Sequence, residues 1–243
     1  MKKIEILAPA GSLESIKPAV RCGANAVYLG GESFSARAGA KNFSRDDLIK
    51  TIEYCHARRV KVYIALNTLI FDYEMEKVVD YVKFVCNLGV DALIIQDVGL
   101  AKIIKDMAPQ MPLHASTQMS VHTLSGVKAL HDAGFNRVVL ARELSLEEMK
   151  EISKDSPIEL EVFVHGALCM SVSGQCYFSA MLGGRSGNRG RCAQPCRLPF
   201  FADGGNGHDL SLKDMSIIRN IKQLQSIGIK SAKIEGRMKR PEY

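Results

Sequence analysis

GANAVYL, at residues 23–29, is one of four related stretches that decide the fold of this chain. The others are GVDALII at 89–95, GFNRVVL at 134–140 and GIKSAKI at 228–234. Each begins with a glycine, which suits the left-handed backbone at a helix end, and continues into the apolar residues of a strand. The repeat therefore predicts four helix-to-strand connections of one kind.

Short apolar runs and amphipathic segments alternate along the whole chain. The apolar runs predict eight strands, at residues 4–8, 26–30, 61–66, 92–96, 113–117, 137–141, 160–164 and 231–235. Helical patterns lie between most of them, and two open on capping boxes, at Ser44 with Asp47 and at Ser145 with Glu148. The glycine repeats precede strands two, four, six and eight.

Eight βα units with this alternating repeat predict an α/β fold, a (β/α)8 TIM-type barrel formed by residues 1–243 as one domain. A doubly wound open sheet is the alternative, because periodicity does not show closure. The chain stops soon after the eighth strand, and Pro241 suits the first turn of an eighth helix. We therefore expect a fragment of a longer protein, without its eighth helix and C-terminal region.

The composition sets broad limits on the class of protein. A chain of 243 residues with 47% hydrophobic content buries a full core, and a net charge of +6 permits an anionic partner. No apolar run approaches the roughly 18 residues of a membrane span, and the N-terminus does not resemble a signal peptide. The expected location is the reducing cytoplasm. Neither a GxGxxG nor a GxxxxGK[ST] motif occurs, which argues against a nucleotide-phosphate cradle.

A segment rich in Gly, Ser, Asn and Arg, at residues 166–200, follows the seventh predicted strand. In a barrel it would emerge at the C-terminal mouth, where active sites lie. It carries four of the seven cysteines, Cys169, Cys176, Cys192 and Cys196. Their spacing is C-x6-C, a gap of fifteen residues and C-x3-C.

Several kinds of chemistry use clustered cysteines. An odd cysteine count in a reducing compartment argues against disulfides. Four thiolates suit an iron–sulfur cluster, and zinc is a lesser alternative because zinc ribbons favour C-x2-C pairs. A reactive cysteine or a redox pair also stays open. Cys22, Cys55 and Cys86 lie in helical patterns and are expected to be small buried hydrophobes.

A cysteine-peptidase interpretation makes Cys169 the nucleophile and His165 its base. It leaves Cys176, Cys192 and Cys196 without a role, and the sequence shows no obvious orienting group or oxyanion hole. A metal cluster therefore explains more of the segment.

Polar residues follow almost every predicted strand. The candidate catalytic residues are Asp97, Gln118, Glu161 and His165. The candidate substrate-binding residues are Arg37, Asn67, Arg142, Glu143, Arg185, Arg189, Arg191 and Arg237, with Gln96 and Glu235 beside them at the mouth. Groups at this end of a barrel contact substrates more often than groups at the other end, although some also cap helices or form rim ion pairs.

The stretch EVFVHGALCMSVSGQCYFS, at 161–179, resembles the signature of the peptidase U32 family, also called collagenase-like peptidases. LAPAGS, YLGGESFSARAGAKNFS, GRSGNRGRCAQPCR and KIEGRMK are similar to that family too, so the resemblance spans nearly the whole chain. Some members are collagenase-type proteases. Others are oxygen-independent hydroxylases of tRNA, ribosomal RNA or a ubiquinone precursor, and prephenate has been linked to the RNA-modifying ones.

The resemblance implies a four-iron, four-sulfur cluster on Cys169, Cys176, Cys192 and Cys196. In some ubiquinone-pathway relatives one ligand comes from the strand-eight segment, where this chain has Ala232, so the RNA-type ligand set is favoured. The expected activity is hydroxylation of a pyrimidine in tRNA or rRNA, with a small molecule such as prephenate giving the hydroxyl group. A collagenase-like peptidase and a partner-dependent subunit of a ubiquinone-type hydroxylase are the alternatives.

An RNA substrate would use the arginines of the cysteine-bearing segment. The residues that would meet phosphates near the cluster are Arg185, Arg189, Arg191 and Arg197, and the basic rim would be extended by Arg237, Lys239 and Arg240. They would equally well neutralise the charge of several thiolates. A target base would have to leave its stack to reach a recessed pocket.

Overall fold

Parallel strands joined by helices close on themselves into a barrel in the computed structural model, which describes residues 3–31, 34–36, 42–201, 203–205 and 207–243. The strands are β1 (Glu5–Pro9), β2 (Ala26–Leu29), β3 (Lys61–Leu66), β4 (Ala92–Ile95), β5 (Leu113–Ala115), β6 (Arg137–Val139), β7 (Glu159–Gly166), β8 (Met215–Ser216) and β9 (Ser231–Ile234). The helices are α1 (Leu13–Arg21), α2 (Arg45–His56), α3 (Met75–Asn87), α4 (Val98–Met107), α5 (Leu124–Asp132), α6 (Leu146–Lys154), α7 (Phe178–Gly183) and α8 (Ile221–Ser226).

Eight of these strands form the barrel. Strands β1 to β7 pair in chain order, and β9 closes the ring between β7 and β1, with Leu7 opposite both Ala26 and Lys233. All ring pairings are parallel, which confirms the TIM-type barrel and shows that the open-sheet alternative is wrong. The short β8 lies outside the ring, antiparallel to the end of β7 at His165 and Gly166. The register of β7 against β9 shifts between Phe163 and His165.

The four repeat glycines stand just after helices α1, α3, α5 and α8, as predicted. Their φ angles are +92° at Gly23, +76° at Gly89, +87° at Gly134 and +98° at Gly228. A side chain in this left-handed conformation is strained, so glycine ends the helix and turns the chain towards the next strand. The repeat therefore encodes every second helix-to-strand connection of the barrel.

The apolar core lies in two layers. The larger one fills the space between strands and helices, where α2 buries Leu48, Ile52 and Cys55. The smaller one fills the inside of the barrel and contains Leu7, Ala26, Tyr28, Tyr63, Ala92 and Ile94. Both predicted capping boxes are present, and each serine side chain accepts the backbone N–H of the third helical residue, Asp47 or Glu148.

The three helical cysteines differ in exposure. Cys55 is buried, as expected, and burial raises the pKa of its thiol to about 11, so it is inert. Cys86 is half-buried. Cys22 is exposed, and its expected burial is wrong, because it follows the last residue of α1 and caps the C-terminus of that helix. In the part of the chain that the structure describes, no helix has the length and apolar character needed to cross a bilayer.

Candidate active site at the barrel mouth

A narrow cavity opens at the C-terminal ends of the barrel strands. It is lined by Tyr28, Ala65, Asn67, Ile94, Ser116, Thr117, Gln118, Arg142, Phe163, Lys233, Glu235 and Arg237. Its free volume of about 40 Å³ holds little more than one water molecule. A larger cleft of about 680 Å³ lies at the opposite end of the barrel beside Phe135, Ser153 and Gly228. None of the predicted site residues lines that cleft, so the mouth is the candidate site.

Unpaired hydrogen-bond acceptors mark one wall of the mouth. The side-chain oxygens of Gln96, Thr117 and Gln118 are buried and have no hydrogen-bond partner among the described residues. A buried oxygen without a donor costs on the order of 1–3 kcal/mol. Thr117 and Gln118 line the cavity after β5, so their oxygens provide acceptors for a ligand that carries O–H or N–H groups, whereas Gln96 after β4 is not one of the described lining residues.

Three cations face the same cavity. Arg237 is 4% exposed and donates to the Ser35 hydroxyl at 2.6 Å, with its guanidinium 5.6 Å from the centre of the Tyr28 ring. Lys233 Nζ lies 4.3 Å from the centre of the same ring. Arg142 lies across the cavity, over the ring of Phe163. Since Glu235 is the single carboxylate among the described lining residues, the mouth favours an anionic ligand.

A layer of buried ion pairs lies inside the barrel, below the cavity, and holds Lys233 at the cavity floor. Glu161 is fully buried and binds Lys233 Nζ at 2.9 Å and Arg137 at 3.1 Å. Arg137 also pairs with Glu5 at 2.6 Å and with Glu159 at 2.7 Å. Burial alone would raise the pKa of Glu161, but the charges of Lys233 and Arg137 bring it down to about 2. Glu161 therefore stays charged and holds Lys233 at the cavity floor.

His114 completes the inside of the barrel near Tyr63, with ring centres 4.8 Å apart. Burial, aided by the charge of Arg137, lowers the pKa of His114 to about 3, so its imidazole is neutral. The described residues offer its Nδ1 no hydrogen-bond partner.

Two of the candidate catalytic residues lie away from the cavity. Asp97 caps α4, where its carboxylate accepts the N–H groups of Leu100 at 2.9 Å and Ile70 at 3.1 Å. The His165 ring lies 5.6 Å from that of Tyr243. No hydrogen bond joins His165 to Cys169 among the residues described, so the geometry does not assemble the nucleophile–base pair of a cysteine peptidase.

Asn67 lies in the cavity wall and ties neighbouring connections together. Its side chain accepts the N–H of Ala36 at 3.0 Å and donates to the Ser116 hydroxyl at 3.3 Å. The predicted anion-binding Arg37 lies outside the described residues.

Residues 166–200 form the segment that we call the cysteine loop. The first half of this loop packs directly over the mouth. Ser173 is fully buried; its N–H donates to Glu143 and its hydroxyl accepts from the Arg142 side chain at 3.3 Å. A Cβ on Gly174, whose φ is +78°, would overlap the backbone of Gln118. The loop therefore packs against the cavity-lining residues Gln118 and Arg142. Arg142 and Glu143, both predicted to contact the substrate, hold the loop in place through Ser173.

A second attachment holds the far part of the loop to the connection after β3. The Arg189 guanidinium binds both carboxylate oxygens of Glu74, at 2.5 and 3.0 Å, and donates to the carbonyl of Leu69. The hydrogen bond from Arg189 lowers the pKa of Glu74. Anchored beside β5 and β6 at one point and beside β3 at another, the loop spans the mouth.

The other loop arginines differ in role. Arg185 donates to the carbonyl of Arg191 at 3.0 Å, and both side chains are exposed. Arg197 donates to the carbonyl of Leu168 at 2.8 Å and to the Ser211 hydroxyl at 3.0 Å. Arg197 thus joins the residue before Cys169 to the segment that follows the loop.

The four loop cysteines are free thiols. Burial raises the pKa of Cys196, and the charges of Cys169, Cys192 and Cys176 raise it further against the effect of Arg197. A Cβ on Gly187 would lie 3.6 Å from the Cys176 carbonyl and 3.7 Å from the Cys192 Cβ. Cys169, Cys176 and Cys192 thus all influence Cys196, and Gly187 packs beside both Cys176 and Cys192.

The separation of these thiols bears on whether they form a site for a single metal ion. Among the described residues, no group of three Cys, His, Asp or Glu side chains comes close enough to hold one metal ion. Sulfurs around a single zinc lie within about 4.6 Å of one another, because each Zn–S bond is about 2.3 Å. The described part of the loop therefore does not present a preformed site for a single zinc ion.

Sequence reasoning missed several residues that shape this site. Lys233 and Tyr28 lie inside strands and give only an apolar or mixed pattern, and Ser173 looks like ordinary loop sequence. A signal for Lys233 was available, since a lysine in an otherwise apolar strand needs a buried acidic partner. Glu74 gave no signal, because its partner Arg189 is 115 residues away.

Comparisons with known proteins place these features in a family. The profile described as Peptidase family U32 matches residues 11–243. The 23S rRNA 5-hydroxycytidine C2501 synthase of Escherichia coli is 40% identical over 99% of this chain and 37% of its own length. The tRNA hydroxylation protein P1 of Bacillus subtilis is 36% identical over 100% of this chain and 60% of its own length.

A relative with another activity in its name matches as well. The collagenase of Porphyromonas gingivalis is 35% identical over 98% of this chain and 62% of its own length. This chain thus spans between about one third and two thirds of these relatives. The solved U32 peptidase Mk0906 has a TM-score of 0.64 at 12% identity, over 96% of this chain and 93% of its own, and it supports the barrel fold.

Proposed function

The chain belongs to peptidase family U32, and on that premise we propose that it is an iron–sulfur enzyme hydroxylating a pyrimidine of tRNA or rRNA without dioxygen. The observation that carries the proposal is the cysteine loop, a segment with four free thiols that packs over a mouth lined by three cations and by unpaired buried oxygens. Relatives whose names state tRNA or rRNA hydroxylation support the substrate class.

Cys169, Cys176, Cys192 and Cys196 would hold the four-iron cluster. When bound, such a cluster supplies an electron-transfer or Lewis-acid centre close to the cavity. Burial raises the pKa of Cys196, so cluster binding must displace a proton from this thiol, and loading should be favoured by higher pH. Arg197 lies beside Cys196 and offsets part of the thiolate charge.

The remaining mouth residues would bind the small hydroxyl donor. Arg142, Lys233 and Arg237 suit the carboxylates of a donor such as prephenate, and the Gln118 and Thr117 oxygens would accept its O–H group. Of the four predicted catalytic residues, Gln118 lines the cavity and would orient the donor. Glu161 would act through Lys233, as a positioning residue.

The size of the cavity bears on how substrates enter. About 40 Å³ does not admit a donor or a nucleobase, so the side chains of Gln118 and Arg142 or the loop above them must move during loading. The target pyrimidine would leave its stack and approach from the outer side, beneath the cysteine loop.

Nucleoside analysis of RNA from a deletion strain tests the proposal. We expect loss of one hydroxylated pyrimidine, its return with the full-length gene, and no return with Gln118→Ala or Cys192→Ala. In the proposed transfer of the hydroxyl group, the donor's C–O bond breaks as the pyrimidine C–O bond forms, and the hydrogen and electron pair of the pyrimidine C–H bond pass to the donor. Labelled oxygen in the donor's hydroxyl group should therefore reach the nucleoside. An unchanged nucleoside profile, together with a colourless purified protein that cleaves gelatin, would instead establish the peptidase alternative.

A further inference from the structure

Two exposed aromatic rings form a stack on the rim of the mouth, in the connection between β3 and α3. The rings of Phe71 and Tyr73 have centres 5.4 Å apart and planes only 16° apart. Phe71 is 51% exposed and Tyr73 is 78% exposed. Aromatic side chains this exposed contribute little to the stability of the fold, because most of their apolar surface stays in water. Two nearly parallel rings at the edge of a site are suited to bind a planar ligand by stacking.

The stack continues into the cysteine loop. The Arg189 guanidinium lies 4.8 Å from the centre of the Phe71 ring while it binds Glu74. Phe71 thus contacts both the Arg189 guanidinium and the Tyr73 ring. The Glu74 carboxylate and the Leu69 carbonyl hold Arg189 in place beside Phe71.

Charge beside the rings indicates what kind of planar ligand fits. Arg185 and Arg191 flank Arg189 in one turn of the loop, where the Arg191 N–H donates to the Ser186 carbonyl at 3.0 Å, and their side chains are exposed. Asp72 lies between Phe71 and Tyr73 in the chain, and Glu76 lies in the first turn of α3, so these two carboxylates would repel phosphates on that part of the rim. A nucleic-acid backbone would therefore run along the loop arginines, with its bases turned towards the rings.

We propose that Phe71 and Tyr73 form a stacking platform for an unpaired RNA base that neighbours the target nucleotide, with Arg185 and Arg191 binding its phosphates. This deepens the proposed function and rests on it. Stacking on aromatic rings tolerates any base, whereas the arginine contacts are electrostatic. The platform would thus hold the strand open beside the cysteine loop without reading its sequence.

Fluorescence gives a direct test because this chain contains no tryptophan. The Tyr73→Trp variant places an indole at the platform, and the Tyr54→Trp variant is the matched control. Tyr54 lies on α2 with the Arg58 guanidinium 3.8 Å from its ring centre, so it pairs an aromatic ring with an arginine away from the mouth. The probe is a short, pyrimidine-rich, single-stranded RNA titrated into the cluster-loaded chain of 243 residues, in which the introduced indole is the sole tryptophan.

We expect saturable quenching of the indole fluorescence in the Tyr73→Trp variant and none in the Tyr54→Trp variant. Tyr73→Ala should weaken binding of the same RNA by about 5- to 150-fold, the range for loss of one base–aromatic stack, and Tyr73→Phe should restore it. Arg191→Gln should lower the salt dependence of binding by about one counterion, whereas Tyr73→Ala should leave that slope unchanged.

The platform and the proposed function fail in different ways. Wild-type affinity in Tyr73→Ala overturns the platform alone, and so does unchanged indole fluorescence in a Tyr73→Trp variant that binds the RNA. If the wild-type, cluster-loaded protein binds neither this RNA nor bulk tRNA at low salt, the RNA function falls and the platform with it.

Discussion

Glu161→Gln should destabilise the barrel severely, because it removes the carboxylate that neutralises two buried cations. Glu161 is fully buried, and its oxygens lie 2.9 Å from Lys233 and 3.1 Å from Arg137. At an effective dielectric constant of about 20, each contact corresponds to an attraction of roughly 5–6 kcal/mol. Arg137 keeps Glu5 and Glu159, but Lys233 keeps no other carboxylate among the described residues.

The net loss is smaller than the sum of these attractions, because the amide still offers a hydrogen bond. Breaking a buried pair by removing one partner costs about 3–5 kcal/mol, so we expect this loss in the free energy of unfolding. For a domain of this size that corresponds to a Tm lower by about 6–20 °C. Urea unfolding and thermal melts of the two proteins, in the same cluster state, measure both quantities.

Glu159→Gln provides a matched control within the chain. Glu159 pairs with the same Arg137 at 2.7 Å, but its side chain is 50% exposed. Its loss should cost less than about 1 kcal/mol. Adding Lys233→Met to Glu161→Gln should recover part of the stability, since the orphaned cation is then gone. Equal costs for Glu161→Gln and Glu159→Gln, or no recovery in the double variant, would refute the assignment.

The pKa of Glu161 also predicts how the stability difference between wild type and Glu161→Gln depends on pH. The pKa of Glu161 is lowered to about 2 in the folded protein, against an ordinary value of 4.5. Its contribution is therefore fully present above the ordinary pKa and is lost as the pH falls towards the folded value. The stability gap between wild type and Glu161→Gln should be constant at neutral pH and should narrow steadily below about 4.5. A gap that widens in acid would contradict this sign.

Three further predictions concern the cysteine loop and the helix ends. Glu74→Gln should release Arg189 and increase amide hydrogen exchange in the residues around it. Because the pKa of Glu74 is lowered, its carboxylate stays charged at neutral pH and becomes protonated only in acid, so the wild-type protein should show the same release in acid. Gly174→Ala should overlap Gln118, displace the loop and reduce iron loading, whereas Gly183→Ala, with nothing within 4 Å of its Cβ, should load normally. Cys22→Ser should leave stability within about 0.5 kcal/mol of wild type, as calorimetry would show, because this thiol is exposed.

The barrel could be predicted from the sequence because its signals are local. Gly23, Gly89, Gly134 and Gly228 each mark a helix end within a few residues of the next strand, so their spacing counts the βα units. The place of residues 166–200 above the mouth followed from strand order alone, without any knowledge of side-chain contacts.

The site could be predicted only in part, because its decisive contacts join distant parts of the chain. Asp97 follows a strand like the other mouth residues, yet it caps α4, a role that sequence position does not separate from substrate binding. The partnership of Glu161 with Lys233 spans 72 residues, and that of Arg189 with Glu74 spans 115. A lysine in an apolar strand signals that Lys233 needs a buried acidic partner, but no local pattern identifies that partner as Glu161 or pairs Arg189 with Glu74, so the pairings come only from the folded barrel.

The central claim is that the loop at the barrel mouth binds a four-iron cluster, and metal analysis after anaerobic purification or reconstitution tests it most directly. We expect a brown protein with about four irons and four sulfides per chain. Replacing Cys169, Cys176, Cys192 or Cys196 by alanine should abolish that content, while Cys22→Ser should retain it. A protein that takes up zinc or no metal, or an iron content unchanged by Cys192→Ala, would contradict the claim.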